Sequence, residues 1–106
     1  MALKHTMKFV PDNKRFTIMC NQLEHCIVCG RTHPEKHEIF FGNPNRDRSK
    51  QYGLVIPLCY EHHRGDNGPH KCRIVDEKYK RAAQIAWEQR FGNREDFISI
   101  FGKSYL

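Results

Sequence analysis

The sequence predicts a small α+β domain clasped by a metal, and three features predict it. Two short Cys/His knuckles, Cys26-x2-Cys29 and Cys59-x2-His62-His63, can close on one tetrahedral ion. Between them lie two short apolar runs bounded by turn residues, Glu38-Ile39-Phe40-Phe41 and Leu54-Val55-Ile56-Pro57-Leu58. The last third carries apolar residues at helical spacing: Tyr79, Ala83, Trp87 and Phe91. A chain of 106 residues makes one domain and buries a modest share of its surface, so a metal clasp would add needed stability.

Taken in order, residues 1–25 form a basic segment in which Phe9-Val10 and Phe16-Thr17-Ile18-Met19 are expected as short strands or part of a mobile arm. Residues 26–106 form the metal-bearing domain. Gly42-Asn43-Pro44-Asn45 ends the first strand, and Arg46-Asp47-Arg48-Ser49-Lys50 reads as a charged connection. The second strand delivers Cys59, and about one helical turn follows before Gly65-Asp66-Asn67-Gly68-Pro69 breaks it. Asp76 is the expected N-cap of a long helix and Gly92 its stop. Asn93 with Asp96 three residues on resembles a capping box for a second helix, which buries Phe97, Ile100 and Phe101 and ends at Gly102. Trp87 and the phenylalanines read as core rather than as a surface for stacking bases.

Cys26, Cys29, Cys59 and His62 are the expected ligands of a structural zinc ion, with His63 and Cys72 as rivals for one position. Five cysteines, an odd number, argue against a disulfide framework and for a reducing compartment. Cys20 and Cys72 read as small, half-buried side chains. If His62 turns to the zinc, His63 points elsewhere, because successive helical residues diverge by about 100°. His37, His63 and His70 then compose an incomplete coordination sphere with room for water and a phosphate oxygen. His5, His25 and His33 read as surface residues. The net charge of +6, histidines uncounted, favours an anionic partner, above all nucleic acid. No apolar run reaches the roughly 20 residues of a membrane span, and the N-terminus lacks a signal-like stretch. A cytoplasmic location with no membrane partner is therefore expected.

Cys26-x2-Cys29, His37-Glu38-Ile39-Phe40 and Leu58-Cys59-x2-His62-His63 together resemble the HNH endonuclease superfamily, whose fold is ββα-metal. The nearer likeness is to small phage-encoded HNH proteins. It runs through Asn45-Arg46, Ser49, Tyr52-Gly53-Leu54, Pro69-His70 and Arg94 to Gly102, covering residues 26–106. The resemblance implies DNA cleavage with a divalent cation such as Mg2+, Mn2+, Ni2+ or Zn2+, in a bacterial cell of phage or prophage origin. It implies that His37 and His63 bind that cation and that Glu38 occupies the place of the water-activating histidine. Two departures stand out. An ordinary glutamate titrates near 4.3, so either Glu38 is tuned upward or His37 is the base and Glu38 a ligand. The family's central asparagine has no direct match, and Asn45 is the better candidate. Arg46, Arg48, Lys50 and Arg64 would grip phosphates. The competing expectation is a zinc module that binds DNA or protein without cleaving it.

Overall fold

The computed structural model describes residues 8–106. Its described residues form a two-stranded antiparallel sheet and four α-helices, an α+β fold. In chain order these are β1 (Glu35–Glu38), α1 (Asn45–Tyr52), β2 (Val55–Leu58), α2 (Tyr60–Arg64), α3 (Arg73–Arg90) and α4 (Arg94–Phe101). No described helix is long and apolar enough to cross a membrane.

The register of the sheet positions everything that follows. Glu35 pairs with Leu58, Lys36 with Pro57, His37 with Ile56 and Glu38 with Val55. Successive strand residues face opposite sides, so Glu35 and His37 share one face while Lys36 and Glu38 share the other. β1 lies earlier than the expected run at residues 38–41. Ile39 and Phe40 are fully buried, but only the Ile39 amide still bonds across, to the Leu54 carbonyl. The backbone of Phe40 is taken up by a side chain instead: Ser49 Oγ accepts from its N–H at 3.0 Å and donates to its carbonyl at 2.8 Å. The apolar run therefore marks core packing just beyond the strand.

The expected charged connection at residues 46–50 is a helix, α1, closed by Gly53 in the left-handed region at φ 71°. Its buried residues are Ser49, Lys50 and Tyr52, a mostly polar set that hydrophobic periodicity does not detect. α3 opens at Arg73 with Cys72 at the N-cap position, four residues before the expected cap, Asp76. Asp76 instead pairs with Lys80 one turn on, at 2.9 Å. Phe91, rather than Gly92, is the C-cap of α3. At α4 the capping box is present as expected, with Asn93 Oδ1 accepting from the Asp96 amide at 2.9 Å and Asp96 accepting from the Asn93 amide at 3.1 Å. Gly102 closes that helix in the left-handed region.

Trp87, Phe40, Phe97, Phe101, Tyr52, Leu54 and Leu58 form the core, with Tyr79, Phe91 and Ile100 packed against it. Neither expected N-terminal strand exists. Residues 9 and 10 have no regular structure, Asp12–Lys14 make one 3-10 turn, and residues 18–20 bend. From residue 8 onward this segment is tied down: Val10 is buried, Ile18 donates to the Gly53 carbonyl, and Ile18 and Met19 pack on the core. The rest of the expected arm, His5 included, lies outside the described residues.

Candidate metal centres

Cys26, Cys29, Cys59 and His62 come together at one point. Cys29 Sγ and Cys59 Sγ are 3.7 Å apart, and His62 Nδ1 lies 3.8 Å from Cys26 Sγ and 3.2 Å from Cys59 Sγ. Zinc bonds of about 2.3 Å to sulfur and 2.0–2.1 Å to nitrogen give tetrahedral edges of roughly 3.8 Å between sulfurs and 3.6 Å between sulfur and nitrogen. The cluster has the size that an ion of this kind needs. Local geometry explains how it forms. Gly30 turns the first knuckle at φ 78°, with its amide bonded to the Cys26 carbonyl, and β2 ends where Cys59 becomes the N-cap of α2. Burial works against a Cys26 thiolate, but hydrogen bonds from the backbone of Cys59, Cys29 and Val28 and from the Cys29 side chain outweigh it and bring the pKa to about 6. The donor set is thus partly charged before any metal arrives. Cys72 stands apart at the start of α3, and Cys20 bonds the Gln22 carbonyl, so neither belongs to the cluster.

The second cluster is His37, His63 and His70. His63 Nε2 lies 3.1 Å from His37 Nδ1 and 3.0 Å from His70 Nε2. Metal–nitrogen bonds near 2.1 Å produce nitrogen–nitrogen edges of roughly 3.0–3.4 Å, so these spacings fit a shared cation. Hydrogen bonding alone satisfies them poorly. His63 Nδ1 is 2.8 Å from Glu35 Oε1, which fixes the proton on Nδ1 and leaves Nε2 a single in-plane lone pair. One lone pair cannot serve both neighbours well, whereas a cation accepts all three. His37 is buried and its Nε2 has no hydrogen-bond partner, leaving Nδ1 as its working nitrogen. Burial first, then the charges of His63, His70 and Lys80, pulls the His37 pKa down to about 3. Burial first, then the charges of His63 and Arg64, lowers that of His70. Both rings are neutral, and so able to ligate, near pH 7.

Two structural details bring the rings together. His62 and His63 are adjacent on α2, and each serves a different cluster, as the helical divergence predicts. The chain then reverses through Gly68, where a Cβ would lie 2.6 Å from the His63 carbonyl oxygen. Only glycine lets the returning segment pass this close and set His70 against His63.

Several expected participants lie elsewhere. Glu38 is on the opposite sheet face, where Arg15 holds Oε1 at 2.7–2.8 Å and Arg46 approaches it at 3.6 Å. The carboxylate is committed to an ion pair away from the histidines, because the alternation that turns His37 inward turns Glu38 away. Asn45 donates to the Phe101 carbonyl at 3.0 Å and ties α1 to α4. All four cations expected to grip phosphate have partners within the chain. Lys50 is buried against Asp12 at 2.8 Å, Arg46 pairs with Asp12 at 3.2 Å, and Arg48 donates to the Ile100 carbonyl. Arg64 alone of the four lies beside the histidines, with Nε 2.8 Å from Glu35 Oε1. His25 and His33 are exposed, as expected.

Sequence reasoning missed Glu35. The signal was present: on a strand, the residue two before His37 shares its face. Starting the strand at residue 38 hid that relation. No family model matches the chain, and neither curated proteins nor solved structures yield a match.

Proposed function

We propose that this protein is a zinc-clasped, metal-dependent endonuclease of the ββα-metal type that hydrolyses DNA phosphodiester bonds. The convergence of His37 Nδ1, His63 Nε2 and His70 Nε2 carries this reading. The succession of β1, β2 and α2 around that convergence supports the finer fold assignment. A divalent cation bound there would supply Lewis-acid polarisation of the phosphodiester and charge neutralisation at the leaving oxygen. His37 and His63, the buried pair, would hold it. His70, the exposed member, would be its third ligand and sets the centre at the solvent edge, where the attacking water arrives. Arg64 meets a phosphate flanking the scissile bond. The Cys26, Cys29, Cys59 and His62 site fixes α2 and thereby aims His63.

The test is nicking of supercoiled plasmid by zinc-loaded protein supplied with Mg2+, Mn2+, Ni2+ or extra Zn2+. His37→Ala and His63→Ala are expected to abolish nicking and binding of the second cation, and His70→Ala to lower the rate at least a hundredfold. Full activity in the first two variants overturns the assignment. The second reading, a non-catalytic module, draws on Glu38: its pairing with Arg15 leaves no carboxylate in the cluster. Wild type that shifts DNA yet never nicks it establishes that reading instead.

A further inference from the structure

Glu35 Oε1 is shared. It receives His63 Nδ1 and Arg64 Nε, each at 2.8 Å, and these donors come from adjacent residues of α2. The side chain reaches solvent at 36% relative exposure and Arg64 at 56%, so Arg64 is free to leave while Glu35 and the buried His63 stay. A carboxylate behind a ligating imidazole fixes its tautomer and makes it a better donor. A guanidinium on the same oxygen draws away part of that charge.

We propose that Glu35 is a positioning residue for the three-histidine centre and that Arg64 makes its strength depend on a phosphodiester. When a backbone phosphate takes the guanidinium, Oε1 serves His63 alone and the cation is held more tightly. Linkage then requires the converse: an occupied centre binds the phosphodiester more tightly. The inference rests on the cation-binding reading of this cluster and deepens it, since it makes the substrate an effector of metal affinity.

The test titrates Co2+ into zinc-loaded, full-length protein and follows its visible absorption and heat, with no nuclease assay. His63→Ala identifies the signal from this centre. Glu35→Gln, which retains the shape and loses the charge, is expected to weaken Co2+ binding ten- to a hundredfold. Arg64→Ala is expected to tighten it three- to tenfold in the native background and less than twofold alongside Glu35→Gln. The dinucleotide TpT is expected to tighten binding in wild type and not in Arg64→Ala. Equal tightening by Arg64→Ala in both backgrounds would reveal simple charge repulsion and overturn the shared-oxygen proposal. So would a Glu35→Gln effect below threefold, or an undiminished TpT effect without Arg64. Absence of any His63-dependent Co2+ signal removes the centre itself, and with it the functional reading.

Discussion

Replacing Ser49 with alanine isolates the contact that ends β1. Ser49 is fully buried, and its hydroxyl occupies both backbone groups of the equally buried Phe40, accepting at 3.0 Å and donating at 2.8 Å. Alanine removes one oxygen atom and strands a buried N–H and a buried carbonyl together. Each unpaired group costs about 1–3 kcal/mol. The sum is about 2–6 kcal/mol, a large fraction of the roughly 5–15 kcal/mol that holds a domain of this size. Near the midpoint each kcal/mol moves Tm by about 4–8 °C at this length, so a fall of at least 8 °C is expected. Urea unfolding of zinc-loaded protein, followed by circular dichroism and Trp87 fluorescence, measures it directly. The slope of stability against urea should stay constant, since the same surface is exposed. A loss below 1 kcal/mol refutes the reasoning, because it means that water or a backbone shift satisfies Phe40 as well as the hydroxyl does.

Three further outcomes follow from the two clusters. A structural zinc site contributes on the order of 10–16 kcal/mol, comparable to or above total stability, so removing zinc with a strong chelator should unfold the chain; an unchanged Tm in protein shown by elemental analysis to lack zinc contradicts this. His37 has its pKa lowered from 6.5 to about 3, so the unfolded chain binds the extra proton first. Its contribution is fully present above pH 6.5 and is lost as pH falls toward 3, roughly 1–1.5 kcal/mol between pH 7.5 and 5.5; His37→Phe should flatten the urea-derived slope over that window, and an identical slope counts against a buried neutral imidazole. Gly68→Ala should cost about 1–3 kcal/mol through its clash with the His63 carbonyl, and should weaken Co2+ binding by displacing His70; unchanged cobalt affinity shows that the returning segment has other ways past α2.

The metal knuckles were readable in advance because their spacing is a local property: a two-residue spacer at a turn offers two ligands whatever surrounds it. The capping box at Asn93 and the Tyr79–Phe91 stripe were readable for the same reason. What failed depended on tertiary partners. α1 has an unusual buried face in which Lys50 is neutralised by Asp12, from a segment 38 residues upstream, and no periodicity in Arg46–Lys50 signals that. The N-terminal residues carry strand-like composition, yet their backbone is spent on α1 and Gly53 rather than on a sheet. Glu38 reads as an active-site carboxylate through the family resemblance, which sets it in the second place of a paired motif. Strand alternation, a longer-range consequence of where pairing begins, sent it to Arg15 and brought Glu35 forward in its place.

Adjacent histidines on a helix of only five residues have a mechanical consequence. α2 works as a short axle with a ring on each side, and any roll about its axis carries both rings at once. Slackening the thiolate clasp would swing the second imidazole off its mark, and a jolt at the open centre would be felt at the clasp. A substitution that loosens the clasp would therefore be felt at the histidine cluster as well, although none of its three rings is a clasp ligand.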